Sequence, residues 1–343
     1  MKKISKFFIY FFIILIIIMV FVYFGFNYLI SPLNPNAKEK THTFKIIQGS
    51  SIKNVALELQ KNEIIRNAYA MYILARIKGT IIKSGRYEAN ASMSCEQILD
   101  YLQDGKQANV VVAIPEGLTF TKIAALLEKY EVTKAEDFIE ECKNTNTIEK
   151  YRISSENLEG YLFPDTYFFD YEMKANKVVQ IMVNNFFSKI EKIPELKDLS
   201  SQKLHEKIIL ASIVEREYRI SSEAPLIASV FVNRIRRNIG LYSCATIEYI
   251  ITEIMGKPHP DVITYEDLKI NNPYNTYKWA GLPPGPISNP GLIALNAVAN
   301  PPVTQYYFFR LVDSKKGTHV FSKDFESHTE NANNISTKKV AGY

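Results

Sequence analysis

Hydrophobic positions follow three textures along the chain. There is one unbroken run at the N-terminus, then stretches with strand and helix spacing to about residue 153, then aromatic- and proline-rich segments separated by a helical run. From Phe7 to Ile30 the sequence "FFIYFFIILIIIMVFVYFGFNYLI" carries no charge and follows Lys2, Lys3 and Lys6. At about 1.5 Å per residue this run spans about 36 Å, enough to cross a hydrocarbon core of about 30 Å with some tilt. The leading lysines predict that residues 1–6 stay in the cytoplasm and that everything after Ile30 is exported. A cleaved signal peptide is the competing reading, but the run exceeds the usual apolar core of one and no small-x-small cleavage site follows it. Residues 31–40, "SPLNPNAKEK", then read as a linker leaving the membrane.

Next comes an internal similarity. "FKIIQGSSIKNVALELQ" from Phe44 and "VAIPEGLTFTKIAALLE" from Val112 each run from an apolar strand-like piece into a polar-Gly pair, Gln48-Gly49 or Glu116-Gly117. From that glycine, apolar residues recur at shared offsets: Ile52, Val55, Ala56 and Leu59 in one copy, Phe120, Ile123, Ala124 and Leu127 in the other. That spacing is one face of a helix, so each copy predicts strand, tight turn and amphipathic helix. Between them lie a second helix-like piece (Tyr69 to Ile77), a strand-like "SGRYEA" and a helical "SCEQILDYLQDG". Two small α/β packing units account for this pattern, and the layout also resembles LysM-type glycan-binding units.

From about Ser154, prolines and aromatics cluster in "LEGYLFPDTYFFDY" and in "NNPYNTYKWAGLPPGPISNPG". Proline removes a backbone donor and restricts the residue before it, so both stretches predict fixed loops. A mainly helical run, Met173 to Arg237, separates them, and strand-like "YYFFRLV" and "THVF" follow across a Lys-Lys-Gly turn. The fold class expected from these patterns is α+β.

Charge and residue counts narrow the chemistry. A formal charge of +5 spread over 41 basic and 36 acidic residues is not a nucleic-acid footprint. Cys95, Cys142 and Cys244 are far apart and form no CxxC pair, so no disulfide framework is expected. The five histidines are scattered, and "HEKII" lacks the second histidine of a zinc-protease helix. No metal and no cofactor is expected.

One carboxylate stands out. In "LHEKIILASIVEREY", Leu204, Ile208, Ala211 and Glu215 fall on one stripe at 3.6 residues per turn, whereas Glu206 and Glu217 point to roughly the opposite side. The helix is apolar nearly all round, so two readings stay open: a carboxylate kept among aliphatic neighbours for chemistry, or an ordinary surface pair with Arg219 four residues on. A glycan-shaped site would favour the first. Rigid loops carrying aromatic faces, hydroxyls and amides supply one, with Tyr161, Tyr167, Tyr274, Asn275, Tyr277 and Trp279 as candidates. Core packing is the alternative for each, and the expected fate of Phe163, Phe168 and Phe169.

The ordered set "EGYLFPDTY", "ASIVERE", "SVFVNRI", "YNTY", "GLPPGPISNPG" and "GTHVFSKDFESH" resembles the YceG-like family of endolytic murein transglycosylases over the whole chain. The resemblance implies a bacterial cell-membrane protein: cytoplasmic tail 1–6, transmembrane helix 7–30, linker 31–40, LysM-like module 41–109, a second small α/β unit 110–153, and a mixed α+β catalytic domain 154–343 on the extracytoplasmic side. It implies cleavage of nascent peptidoglycan strands between N-acetylmuramic acid and N-acetylglucosamine, leaving 1,6-anhydro ends and terminating elongation. The family's catalytic glutamate, the first of the "SIVExE" motif, falls on Glu215. The matches at Asn275, Thr276, Tyr277 and His319 imply groove residues, and with Tyr161, Tyr167 and Tyr274 of the aromatic loops and the retained Thr246 they make up the expected substrate-binding set. Partners implied are glycan strands, the membrane, and penicillin-binding and glycosyltransferase proteins of wall synthesis; nucleic acid is not among them.

The sequence departs from the family at "LYSCATIEYI", where Cys244 takes the place of the usual Asp and Thr246 is kept. Cys244 is expected to be a small packing residue. Two alternatives remain: a peptidoglycan hydrolase, which needs a second carboxylate about 5 to 9.5 Å from the first, with Asp165, Glu159, Glu217 and Glu248 as nominees, and a non-catalytic glycan-binding membrane scaffold. The matches of "SSIK" and "SSQK" to an acyl-enzyme S-x-x-K motif lack its SDN and KTG partners.

Overall fold

The computed structural model describes residues 2–37, 40–47, 49–105, 108–313 and 315–331, with side chains described from Ile9 onward. Of the residues discussed above, Met1, Lys38, Glu39, Gln48, Lys106, Gln107, Ser314 and the segment after residue 331 lie outside this set. Helix α1 (Lys2–Ile30) contains, over Ile9–Ile30, the one stretch among the described residues long and apolar enough to cross a membrane.

The chain divides into two compact units, Met1–Asn109 and Val110–Tyr343. In the first, strands β1 (Thr41–Ile46) and β2 (Gly85–Asn90) enclose helices α2 (Ile52–Lys61) and α3 (Ala68–Lys78), and α4 (Cys95–Asp104) follows. The strands pair antiparallel with Phe44 opposite Tyr87. Strand alternation puts Phe44, Ile46, Tyr87 and Ala89 into one core with Val55, Ala56 and Leu59 of α2 and Ile98, Leu99 and Leu102 of α4. Ser51 caps α2 and a Ser94–Gln97 capping box starts α4, which fixes both helix entries.

The second unit opens with β3 (Asn109–Ala113), α5 (Phe120–Lys129), α6 (Ala135–Cys142) and α7 (Thr145–Lys150), and β4 (Thr166–Asp170) returns to pair with β3. The repeated apolar offsets are the buried face of α5: Phe120, Ile123, Ala124 and Leu127. Val112, Leu127 and Phe138 share one continuous core with helices α8 (Ala175–Ile190), α10 (Ser201–Glu217) and α11 (Ala224–Arg236), so residues 110–153 pack as part of the larger body. Short α9 (Pro194–Lys197), α12 (Cys244–Tyr249), which runs into a π turn at Ile250–Ile254, and α13 (Leu292–Ala299) complete the helices. The hairpin β5 (Phe308–Asp313) and β6 (Thr318–Ser322) pairs antiparallel, with Leu311 opposite His319.

Helix α10 is the axis of this body. Ile208 through Val214 are all buried, as an all-round apolar helix requires, with α11, α12 and α13 packed around it. Glu206 is exposed as the stripe predicted. Glu217 is not: at the last turn it meets Ser243, ahead of α12, and is only partly exposed.

Two aromatic expectations need correction. Tyr161 is 1% exposed and Tyr167 6%. The Tyr161 hydroxyl meets His205 Nδ1 at 2.8 Å, and the Tyr167 hydroxyl donates to the Phe163 carbonyl at 2.6 Å. Both phenols belong to the core and face no groove. Phe163 and Phe169 are buried as expected, but Phe168, on the outer face of β4, is exposed because alternation turns it away from Tyr167 and Phe169.

Candidate active site

Glu215 sits on the last turn of α10, where the chain must leave the helix. Tyr218 does so in extended conformation, and its hydroxyl folds back to donate to Glu215 Oε1 at 3.0 Å. The other oxygen, Oε2, accepts the Gly291 N–H at 2.8 Å. Glu215 therefore spends its acceptors on these two donors and not on Arg219. Burial is the largest influence and raises its pKa; the Gly291 and Tyr218 hydrogen bonds pull it down, Glu116 pushes it up and Arg216 pulls it down, with a net rise.

Gly291 is placed by a loop that the core holds rigidly. Ser212, buried in α10, accepts the Ile287 N–H on Oγ at 3.0 Å, and its carbonyl accepts the Ser288 hydroxyl at 3.0 Å. Asn289, 1% exposed, ties three segments together. Its Oδ1 accepts the Leu162 N–H at 2.9 Å, and its Nδ2 donates to the Leu118 carbonyl at 3.0 Å and to Glu159 Oε1 at 2.8 Å. Glu159 also accepts the Phe120 N–H at 3.1 Å, at the start of α5. Its carboxyl is 1% exposed and burial holds its pKa well above the usual range. Glu159 is thus a buried helix-start partner.

The Glu116–Gly117 turn lies against the same carboxylate. A Cβ built on Gly117 would be 3.7 Å from Glu215 Cγ, and one on Gly291 would be 2.5 Å from Glu116 Cγ and 3.4 Å from its Oε1. The Gly117 N–H donates to the Asn289 carbonyl at 2.9 Å. Glu116 and Glu215 therefore flank Gly291, with the Glu116 side chain exposed. Behind Glu215, Arg216 pairs with Glu248 at 2.6 Å, and His259 lies 3.5 Å from the same Glu248 oxygen. Ser243 donates to Glu217, whose pKa burial raises while Ser243 and then His319 lower it.

The remaining expected groove residues scatter by role. Thr246 (0% exposed) and Thr276 (2%) meet hydroxyl to hydroxyl at 3.0 Å, and Thr276 Oγ1 accepts the Ser243 N–H at 3.1 Å. They stand in the layer behind Glu217. Asn275 is fully buried and spends its amide on the Leu268 and Ile270 carbonyls and the Tyr277 N–H. His319 Nδ1 lies 2.7 Å from Glu223, with its side chain nearly covered. These four are scaffold by their contacts, which corrects their placement on the groove surface. Tyr274 and Tyr277 are half-buried: the Tyr274 ring meets Tyr249 in a tilted contact with centroids 5.1 Å apart, and the Tyr277 hydroxyl is 3.0 Å from Cys244 Sγ. Cys244 is exposed, not packed. Asp165 is held by Asn185 at 3.0 Å and Lys189 at 3.2 Å. Among the described residues, no group of three His, Cys, Asp or Glu could hold a metal ion.

The pattern of residues pointed to Glu215 but missed its partners, Tyr218, Gly291 and Glu116. Proline beside a turn in "IPEG" and "SNPG" was the available signal, since it predicts a backbone stiff enough to present one N–H or one carboxylate.

Known proteins match over most of the chain. The YceG-like family matches residues 44–334. An endolytic murein transglycosylase of Bacillus subtilis is 31% identical over 320 residues, 88% of this chain and 86% of that protein. One of Streptococcus pneumoniae serotype 2 is 28% identical over 355 residues, covering 92% of this chain, which spans 63% of that longer relative. A crystal structure of a YceG-like protein from Listeria monocytogenes aligns with a TM-score of 0.57 at 32% identity, covering 85% of this chain and 99% of that one.

Proposed function

The chain belongs to the YceG-like family, and we infer that it is an endolytic lytic transglycosylase of peptidoglycan, a lyase whose acid–base group is Glu215. The carrying observation is that the end of an apolar helix presents one carboxyl of raised pKa to two fixed donors. Such a group holds its proton to higher pH than an ordinary carboxyl and so acts as an acid. It donates that proton to the glycosidic oxygen as the C1–O bond breaks. The resulting carboxylate, stabilised by Gly291 N–H and Tyr218 O–H, then takes the proton of the muramoyl C6 hydroxyl while O6 bonds to C1. Glu215 ends as it began, protonated, and the new end is a 1,6-anhydro sugar. No water is consumed, so one carboxyl suffices.

The finer reading follows from the same resemblance. Cleavage falls between N-acetylmuramic acid and N-acetylglucosamine in nascent strands and terminates their elongation. Helix α1 supports a single-pass anchor with a cytoplasmic N-terminus. The β1–α2–α3–β2 unit supports a LysM-like glycan-binding module, and penicillin-binding and glycosyltransferase proteins are the partners proposed. The test uses the full chain in detergent with uncrosslinked glycan strands, reading products by mass spectrometry. Internal fragments with anhydro ends support the reading, whereas reducing ends would replace it with a hydrolase.

Two substitutions should move the pH profile in opposite directions. Glu116 raises the Glu215 pKa and Tyr218 lowers it, with Arg216 also lowering it. Glu116→Gln should shift the alkaline limb of kcat/KM to lower pH, because Glu215 then loses its proton sooner. Tyr218→Phe should shift that limb to higher pH and slow turnover, because the carboxylate formed in the first step loses a donor. Parallel shifts, or none, would show that neither neighbour tunes the acid.

A further inference from the structure

A second feature lies outside the Glu215 constellation. Trp279 is the only tryptophan of the chain, and 53% of its surface is exposed. It borders a cleft of about 400 Å³ with Asn271, Asn272, Pro273, Leu282 and Pro284. An indole of that size is seldom left on a surface without a partner, and neighbouring residues hold its backbone in one place. Buried Asn275 organises the turn: its carbonyl accepts the Trp279 N–H at 3.0 Å and the Lys278 N–H at 3.1 Å, and its own N–H reaches the Asn272 carbonyl at 2.9 Å.

Two carboxamides stand at the cleft. Asn272 Oδ1 accepts the Tyr274 N–H at 2.9 Å, and Asn271 Oδ1 accepts Lys278 Nζ at 3.1 Å. Both side chains line the cleft, each with its oxygen held by a neighbour, and a carboxamide brings donor as well as acceptor capacity to a ligand. An aromatic face beside amide donors and an apolar wall fits a ring with an apolar C–H face and an edge of acceptor oxygens. A pyranose carrying hydroxyl and acetamido groups is such a ring. Its volume class also fits, since ligand clefts run from about 300 to 1,000 Å³.

The cleft and the acid are built by one loop. Pro284 walls the cleft and Gly291, seven residues on, bonds Glu215. Seven residues span at most about 25 Å when extended, so one extended polymer can occupy both places. Resting on the reading of Glu215 as the acid that cuts glycan strands, we propose that the Trp279 cleft is a saccharide subsite that stacks an acetamido sugar of the same strand away from the cleaved bond.

The single tryptophan gives a direct test. The full chain carrying Glu215→Gln, in detergent micelles, is titrated with uncrosslinked glycan strands stripped of stem peptides while indole emission is followed. A saturable blue shift is expected, and free stem peptide should give none. Emission that stays constant at concentrations where strands bind, or that answers to stem peptide alone, overturns the subsite. In otherwise wild-type protein, Trp279→Ala should lose about tenfold in kcat/KM through KM, the scale of one aromatic anchor, and Trp279→Tyr should recover part of it. A loss confined to kcat would overturn the proposal. The two readings fail separately: a wild type that cleaves normally with a silent indole sinks only the subsite, and a wild type whose indole responds but which cuts nothing sinks only the lyase.

Discussion

Glu215→Gln is expected to reduce strand cleavage by about 10²- to 10⁴-fold, the range a positioned acid–base group contributes, and to leave the protein folded. Glutamine is isosteric. Its amide oxygen can still accept the Gly291 N–H, and its NH₂ can donate to the Tyr218 hydroxyl, so both contacts survive. What disappears is the transferable proton. Anhydro ends released per minute measure the effect, and a variant within tenfold of wild type would remove Glu215 from the mechanism.

The same variant carries a stability signature. Burial raises the Glu215 pKa above the ordinary value of 4.5, so the folded chain keeps this proton to higher pH than the unfolded chain. Between the two values the folded state binds more protons, and stability falls as pH rises. Glutamine does not titrate. Wild type and Glu215→Gln should therefore melt together below about pH 4.5 and separate above it, the variant melting higher at neutral pH. A variant that melts lower at neutral pH would mean that the carboxylate is held by attraction that outweighs its burial.

Gly160→Ala is the second large effect, and it acts on the fold first. Gly160 adopts φ +87°, and an added Cβ would lie 2.6 Å from Ile208 Cγ2 and 2.7 Å from Pro286 Cγ. It therefore wedges α10 away from the loop that delivers Gly291. The left-handed backbone costs about 1–2 kcal/mol and overpacking about 1–3 kcal/mol, so a loss of about 2–5 kcal/mol is expected. For a unit of this size that lowers the melting temperature by roughly 4–20 °C. Gly49 is the control: its φ is +86°, but nothing lies within 4 Å of an added Cβ, so Gly49→Ala should show the backbone cost alone. Equal losses at the two positions would mean that crowding at Gly160 relaxes freely.

Periodicity made the elements legible. The offsets from Gly49 and Gly117 appear as the buried faces of α2 and α5, because a helix face is a local property of spacing. The run from Ile208 to Val214 likewise appears as a buried helix. Residue type in the aromatic loops was a weaker guide. Tyr161, buried beside His205, and Trp279, exposed on a cleft, both sit in proline-flanked aromatic stretches, and only tertiary packing decides which ring is covered. Asn275, Thr246 and Thr276 misled in the opposite sense. Polar side chains suggest a wet groove, yet theirs satisfy backbone and one another in the interior. The partners of Glu215 were hidden for a simpler reason: Gly291 is 76 positions away, and no window on the sequence spans that separation.

The knot at Asn289 also sets a clock. It joins Leu118, Glu159 and Leu162 to the segment carrying Gly291, so Glu215 gains its backbone donor only after the ribosome has added those further 76 residues. A truncated or half-made chain carries the glutamate without the constellation. On the reading of Glu215 as the acid, lytic activity then waits until synthesis has passed Gly291.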